Sequence, residues 1–173
     1  VTLPNGLKTI DRGAFQYCES LSFIELPDSL TTINSGAFND CKGLKNISIP
    51  QSVTNIGTNA FSGCSSIESI TIEEGNTTYD NRNNCNAIIE TATDILIAGC
   101  GKTVIPDTVR EIGQEAFSWC LSLTSISLPE SIVSIGQEAF AGCLYLTDIF
   151  LPDSVTDTGN KAFDCCARLQ KII

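Results

Sequence analysis

The chain has 173 residues, of which 42% are apolar, and its 10 basic and 20 acidic side chains give a formal net charge of −10. This length suits one domain or one uninterrupted repeat array, and the apolar content excludes a disordered chain. The acidic balance disfavours nucleic acids and anionic membrane surfaces as partners, because both carry negative charge. Histidine is absent, which excludes Ser-His-Asp and Cys-His catalysis and leaves only cysteine and carboxylate ligands for zinc. No apolar run is long enough to span a bilayer, so no membrane insertion is expected in this segment.

A unit of 23 residues recurs six times and is the most specific pattern in the sequence. Each copy carries an Ala-Phe pair, then a cysteine three residues after the phenylalanine. The pairs are Ala14-Phe15, Ala37-Phe38, Ala60-Phe61, Ala116-Phe117, Ala139-Phe140 and Ala162-Phe163. The copies occupy residues 3–71 and 105–173, here called the N-terminal and C-terminal blocks, with a 33-residue variant at 72–104 between them. A fixed period in this range indicates a solenoid.

Within one copy the pattern predicts two extended stretches followed by a helical turn. In the second copy, Ile24 and Leu26 alternate as in a strand with one buried face, and Pro27 ends that strand. Residues 30–33 can form a second short strand. One position then holds Asp or Asn in two copies and Gly in four, which predicts a positive φ and a sharp turn there. The Ala-Phe-x-x-Cys segment that follows is predicted to form one or two turns of helix.

The 33-residue variant, 72–104, has a loop-like start rich in Asn, Thr and Asp, followed by "NAII" and "ILIAG", which flank "ETATD" and predict a β-hairpin. With Ala92-Thr93 as the turn, Cys85 lies opposite Cys100, and a disulfide there is one interpretation. Alignment on the prolines instead puts Cys100 in a buried column. A calcium loop is disfavoured because Arg82 stands where an oxygen ligand belongs. The hairpin is expected to be a local cover or a recognition element.

The stretch "LPESIVSIGQEAFAGCLYLTDI" and its copies resemble leucine-rich repeats, and more closely the BspA-like subtype of bacterial surfaces. The resemblance covers essentially the whole chain. It implies an α/β right-handed solenoid with a parallel concave sheet and short helical turns. The asparagine column of ordinary leucine-rich repeats is replaced by Pro-x-Ser, so the Phe and Cys columns are expected to carry more of the packing. It also implies an extracellular or cell-surface location, since members are mostly secreted or surface-anchored binding proteins, several of them adhesins for host matrix or plasma proteins.

Nine cysteines allow four interpretations. Metal binding is disfavoured because no CxxC pair exists. Disulfides are disfavoured because the side chains of neighbouring column members would point the same way. A reactive thiol is disfavoured because no copy has a consistent cationic neighbour. The favoured interpretation is a ladder of six buried cysteines that pack as small apolar residues. Cys165 lies in a variable column and is expected to be exposed or half exposed.

The candidate binding residues lie at predicted solvent-facing positions of the concave strands: Phe23, Glu25, Lys45, Glu68, Asp148 and Phe150. The two aromatic residues break an otherwise polar pattern of small hydroxyls, which is typical of binding anchors. The simpler alternative is that each covers its neighbour or meets another part of the protein. No catalytic, cofactor or metal-binding residues are assigned. The predicted function is a non-enzymatic protein-binding module for adhesion or host-protein recognition, and the alternative is a structural spacer that presents other domains.

The first and last residues suggest a single array, 1–173, that belongs to a longer protein. Val1 opens in the middle of the pattern, and the final "LQKII" matches "LTDIF" of the preceding copy. We therefore expect uncapped ends, whose open strand edges could support self-association.

Overall fold

The structure is a computed structural model and describes residues 1–172, apart from the side chains of Lys171 and Ile172. The end of the last predicted repeat, Ile173, lies outside the described residues. Within residues 1–172 there are fourteen short strands. In chain order they are β1 (Thr9–Ile10), β2 (Thr32–Ile33), β3 (Asn46–Ile49), β4 (Asn55–Ile56), β5 (Ser69–Ile72), β6 (Tyr79–Asp80), β7 (Ala87–Glu90), β8 (Ile95–Gly99), β9 (Glu111–Ile112), β10 (Ser125–Ser127), β11 (Ser134–Ile135), β12 (Asp148–Phe150), β13 (Asp157–Thr158) and β14 (Lys171–Ile172). They wind into a β-solenoid of about seven turns.

The strands form two parallel columns, because most repeats contribute one strand to each; at its N-terminal end the front column is represented by the bridge between Thr2 and Glu25. The front column pairs β3 with β5, and β10 with β12 and then β14. The rear column pairs β1, β2 and β4 in one block and β9, β11 and β13 in the other. Neighbouring partners such as Ile47 and Ile70 lie one repeat apart, which confirms the predicted parallel stacking.

The core lies between the two columns and is filled by the periodic apolar side chains. Strand β3 alternates exposed and buried residues, as predicted for a strand with one buried face. Ile47 of the front column and Ile33 of the rear column are both almost fully buried. No single repeat could bury these side chains alone, so the stability of the fold is spread over contacts between neighbouring repeats.

The predicted helical turns are not confirmed. Within residues 1–172 the structure has no α-helix, and one short 3-10 segment, Arg82–Asn84, lies in the long repeat. The Ala-Phe-x-x-Cys segments are successive turns whose N–H groups alternate between their own repeat and the next one: Cys41 N–H donates to Phe38 O at 3.1 Å, whereas Phe38 N–H donates to Ala60 O at 2.8 Å. Two left-handed residues, four positions apart, interrupt each segment. The first have φ between 52° and 64° and are Gly13, Gly36, Asn59, Glu115, Glu138 and Lys161. The second have φ between 56° and 73° and are Tyr17, Asp40, Gly63, Trp119, Gly142 and Cys165.

The predicted positive φ in the Asp/Asn/Gly column is wrong. None of Asp11, Asn34, Gly57, Gly113, Gly136 and Gly159 is left-handed, and the left-handed residue lies two positions later. Glycine is used in the column because neighbouring backbones approach closely there. A Cβ on Gly136 would lie 2.6 Å from the backbone nitrogen of Gln114, and one on Gly159 would lie 2.3 Å from that of Gln137.

Three side-chain ladders hold consecutive repeats together. The phenylalanine rings stack nearly parallel, with centroids 5.2 Å apart for Phe15 and Phe38 and 5.1 Å apart for Phe117 and Phe140. In the second ladder, Cys41, Cys64 and Cys143 each donate the thiol proton to the phenylalanine carbonyl of the preceding repeat, as Cys41 Sγ does to Phe15 O at 3.0 Å. Cys120 follows the long repeat, and its sulfur contacts the Ser122 hydroxyl at 3.6 Å instead. The serine of Pro-x-Ser forms a third ladder, which sequence analysis did not anticipate.

The serine ladder makes direct bonds to the preceding repeat. Ser29 Oγ donates to Leu7 O and Ser154 Oγ donates to Ile132 O, each at 2.7 Å. These hydroxyls satisfy carbonyls that would otherwise be partly buried without a partner. The serine thus bonds the preceding repeat in several copies, whereas the Ser131 hydroxyl of the same column is buried without a partner.

The hairpin of the long repeat is confirmed, but its register differs from the simplest one. Strands β7 and β8 pair antiparallel, with Ile89 opposite Leu96, and a bulge then shifts the pairing so that Ala87 lies opposite Gly99. The shift moves Cys85 out of register with Cys100, and both are free thiols that contact different carbonyls. The proline-based alignment fits better, since Cys100 is 2% exposed and lies in the N-terminal core.

The hairpin lies between two hydrophobic cores and contributes to both. Ile88 and Ala98 pack into the core of the N-terminal block, whereas Ile89 and Leu96 pack into the core of the C-terminal block. Strand β8 also continues the rear column by pairing in parallel with β9. Both faces of the hairpin are therefore covered by apolar side chains. The hairpin acts as a local cover, one of its two predicted roles, and it also joins the two blocks.

Side chains of the long repeat also close the strand edges at which the regular ladders stop. Asn86 accepts the N–H of Ile70 at 2.7 Å and donates to Glu68 O at 2.9 Å, so its amide replaces a neighbouring strand for β5. The Tyr79 hydroxyl accepts the N–H of Ile56 in β4 at 2.9 Å. An open strand edge is a template for aggregation, and these contacts satisfy part of each edge.

Candidate binding surface

All six predicted binding residues are exposed on one side of the front column. This front surface is formed by residues 22–25 and the solvent-facing side chains of β3, β5, β10 and β12. Phe23 is 58% exposed and Phe150 is 51% exposed, so neither ring is covered by a neighbour within the described residues. The positions around them are mostly serine, threonine and asparagine, which leave the rings prominent.

Phe23 and Glu25 lie together in a shallow depression of about 360 Å3, here called the Phe23 depression. Its floor is low because the next two repeats present only small side chains, among them Ser48 and Thr71. Its rim carries two further acids, Asp28 and Glu73. The strand alternation does not mark these two acids as members of the site, because they follow the strands instead of lying on them.

Lys45 and Glu68 lie at the opposite end of the strands from the acidic rim. They share one rung of the front column, since Glu68 N–H donates to Lys45 O at 2.8 Å. The Glu68 carboxylate is 3.0 Å from the ammonium nitrogen of Lys102 in the long repeat. The hydrogen bond and charge of Lys102 hold the pKa of Glu68 below its usual value. No sequence signal indicated this pair, because its partners are 34 residues apart.

Asp148 and Phe150 form a separate group on β12, where they pair with Ser125 and Ser127 of β10. Five strand spacings separate Phe150 from Phe23, or roughly 24 Å along the column at ~4.8 Å per strand. A second depression of about 320 Å3 lies beside β10, and Val104, which is 73% exposed, belongs to its lining. The predicted residues therefore share one surface but do not form one compact site.

Two buried cysteines of the C-terminal block lack the environment of reactive thiols. Burial raises the pKa of Cys120 to about 11 and also raises the pKa of Cys143. Each therefore remains protonated at neutral pH, and Cys143 donates to Phe117 O at 3.1 Å. Burial confirms the packing interpretation for four members of the ladder, Cys41, Cys64, Cys120 and Cys143.

The ladder is less uniform than predicted at its two ends. Cys18 is exposed and Cys166 is half-buried, because within residues 1–172 the outer repeats have a neighbour on one side only. Cys165 is exposed, as predicted from its variable column. Its φ of 57° belongs to the second left-handed position of the turn.

Charged side chains of the long repeat pair with one another. Arg82 forms ion pairs with Asp80 at 2.7 Å and with Asp94 at 2.6 Å. The residue that interrupts the calcium-like spacing therefore neutralises the carboxylates beside it. Among the side chains that the structure describes, no three acidic or cysteine groups are gathered as metal ligands would be. In the same residues, no helix has the length and apolar character needed to cross a bilayer.

A parallel strand ladder with a period of 23 residues, an open polar surface and side-chain ladders in its core defines a leucine-rich-repeat solenoid. The sequence profile described as "BspA type Leucine rich repeat region (6 copies)" matches residues 1–94 and 99–173. The chain belongs to this family, as the resemblance indicated. No curated protein matches the chain in sequence.

Several solved structures of bacterial proteins share the fold. A leucine-rich cell surface protein from Faecalibacterium prausnitzii A2-165 aligns with a TM-score of 0.77 and 33% identity over 99% of this chain and 52% of its own. A leucine-rich repeat protein from Bacteroides ovatus aligns at 0.57 with 34% identity, over 99% of this chain and 47% of its own. The pneumococcal vaccine antigen PcpA aligns at 0.79 with 22% identity, over 99% and 49%, which shows a shared fold. The chain spans about half the length of these structures.

Proposed function

We propose that this chain is a non-enzymatic protein-binding module that acts at a bacterial cell surface or outside the cell, in adhesion or recognition of a host protein. The observation that carries the proposal is the exposure of Phe23 and Phe150, at 58% and 51%, on an otherwise small and polar strand surface. A few buried anchors carry most of the energy of a protein interface, and large aromatic side chains are enriched at the centres of such interfaces. The family and the cell-surface relative support the location.

The front surface is proposed to be the concave, ligand-facing side of a right-handed solenoid. Its two aromatic groups lie far apart, so a partner that contacts both must cover several repeats. Burial of that length of surface suits a folded protein or a long extended segment rather than a small molecule. Self-association through the ends of the array stays a prediction.

A structural spacer is the second candidate, and one observation favours it. Most of the front surface consists of small hydroxyl and amide side chains, and the stacked ladders make the array a stiff support. In that role the array would hold other domains of the protein at a distance, and the exposed aromatics would contact them.

A binding assay with a double variant separates the two candidates. Wild-type chain, the variant Phe23→Ser with Phe150→Ser, and a control Val133→Ser are immobilised and exposed to purified extracellular-matrix and plasma proteins. Val133 is a suitable control because it is 41% exposed and precedes a rear strand. We expect at least one protein to bind wild type and control, with affinity for the double variant lower on the order of tenfold or more. If every binder is retained by the double variant at unchanged affinity and melting temperature, the spacer is supported instead.

A further inference from the structure

The Phe23 depression has a charge that no side chain around it neutralises. Its ionisable lining residues are Glu25, Asp28 and Glu73, and no lysine or arginine lines it among the described residues. A second hollow of about 360 Å3 lies on the other side of Glu25 and Asp28 and also contains no basic residue. These two carboxylates therefore form a ridge between two acidic hollows.

Four acidic side chains elsewhere in the described residues are held in ion pairs, whereas the acids of this region belong to the larger set that forms none. Glu19 pairs with Lys42, Glu68 with Lys102, and Asp80 and Asp94 with Arg82. Within the described residues, no ion pair includes the three carboxylates of the Phe23 depression. Glu73 Oε2 accepts the backbone N–H of Gln51 at 3.2 Å, which holds that side chain at the rim.

We propose that the Phe23 depression is the docking site for a cationic, extended segment of a partner protein, with a lysine or arginine side chain over the Phe23 ring. This inference rests on the proposed function and names the chemistry of the partner. A cation above an aromatic face is attracted by the ring quadrupole, and its aliphatic stem covers the apolar ring. The neighbouring carboxylates accept charge-assisted hydrogen bonds from the same head group. The hollows on both sides of the Glu25 and Asp28 ridge take neighbouring side chains of one extended segment.

The C-terminal block lacks this combination and provides the control surface. The depression beside β10 has one carboxylate, Asp107, and no aromatic residue. Phe150 is exposed to a similar degree as Phe23 but lines neither acidic hollow. Removal of charge or of an aromatic ring can therefore be matched between the two blocks.

The test is a titration of the whole chain with two fluorescein-labelled peptides of equal length, one alternating arginine with glycine and one alternating serine with glycine. Fluorescence anisotropy at 150 mM salt is the readout, a condition that screens distant charges beyond about 8 Å. We expect the arginine peptide to bind and the serine peptide not to bind. The variant Glu25→Gln with Asp28→Asn should weaken binding on the order of tenfold, and Phe23→Ser about two- to fivefold.

Matched variants decide between a specific site and general attraction to an acidic protein. Asp107 and Glu130 directly follow the prolines of their repeats, as Asp28 does, so the pair Asp107→Asn with Glu130→Gln removes the same charge from the other block. Phe150→Ser removes the same ring, and both variants should bind within about twofold of wild type if the site is specific. Equal weakening by both charge pairs, or no binding of the arginine peptide, overturns the proposal. Melting temperatures of all variants show whether a loss reflects unfolding.

The outcome is separable from that of the proposed function. If a matrix or plasma protein binds in a manner that depends on Phe23 and Phe150 but the arginine peptide does not compete, the binding module stands and the cationic segment is wrong. If the arginine peptide binds specifically while no protein of the panel does, the docking chemistry stands and the partner lies outside the panel.

Discussion

Replacement of Ile88 by alanine tests whether the hairpin joins the two blocks into one folding unit. Ile88 is fully buried and packs into the N-terminal core, whereas its neighbour Ile89 packs into the C-terminal core. Truncation of a buried isoleucine to alanine costs about 2–5 kcal/mol, because it removes apolar contact and leaves a cavity. With a urea m-value of about 2–3 kcal/mol/M, a loss of ~3 kcal/mol shifts the unfolding midpoint by roughly 1–1.5 M.

Two probes report on the blocks separately. Trp119, the one tryptophan of the chain, lies in the C-terminal block, and its ring packs against Gly142, where an added Cβ would lie 2.5 Å from Cδ2. Hydrogen exchange of the amides of β1–β5 reports on the N-terminal block. We expect the Ile88→Ala change to shift both transitions to lower urea by the same amount, although Ile88 contacts only one core.

Ala92→Ser, at the exposed hairpin tip, is the control and should move neither probe by more than about 0.5 kcal/mol. The reasoning is refuted if Ile88→Ala opens the N-terminal amides early while the Trp119 transition stays unchanged. The blocks would then be independent units that merely touch, as nearest-neighbour models of repeat proteins allow.

Three further changes test individual contacts. Gly99→Ala should destabilise the chain by about 1–3 kcal/mol in a thermal melt, because the added methyl group would lie 2.2 Å from Cε1 of Phe117. Gly6→Ala is the control and should leave the melting temperature unchanged, since no atom lies within 4 Å of its added methyl group. Equal melting temperatures of the two variants would contradict the prediction. Asn86→Gly should lower the free energy of unfolding by about 1–3 kcal/mol in urea, because it removes the amide that bonds the edge of β5. Glycine keeps the left-handed backbone of this position accessible, so the change tests the amide alone. An unchanged urea midpoint would show that water replaces the amide. The raised pKa of Cys120 stabilises the folded state in which the thiol is protonated. This contribution of ~2–3 kcal/mol to the free energy of unfolding should be present below pH 9 and lost as pH rises to about 11. The urea midpoint of Cys120→Ala should therefore fall less steeply with pH than that of wild type, and identical pH profiles would argue against the assignment.

The periodic positions were predictable because they obey local chemistry. Alternation at Ile24 and Leu26 predicts a strand with one buried face, and the structure confirms burial of both residues. The exposure of Phe23 follows from the same alternation, since neighbouring side chains of a strand point to opposite faces. The aromatic residues of the candidate site could therefore be found without coordinates.

The acidic rim and the Glu68–Lys102 pair could not be found in this way. Asp28 and Glu73 belong to different repeats and follow their strands, so their convergence on Phe23 depends on how the loops leave the sheet. Lys102 lies in the irregular repeat, whose register with Glu68 has no periodic partner to define it. The hairpin bulge is a similar case, because one shifted residue separates Cys85 from Cys100.

The sequence by itself determined the solenoid, its 23-residue period and the set of buried columns, because a repeat that cannot bury its own apolar face must stack on its neighbours. Only the tertiary structure decided how the backbone of each turn is satisfied. The Ala-Phe segment has the spacing of a helix, yet alternate N–H groups, such as those of Phe38 and Asp40, donate to the adjacent repeat, and two left-handed residues allow that path. The Gly column likewise reflects the close approach of neighbouring backbones, a constraint that exists only after the repeats are stacked.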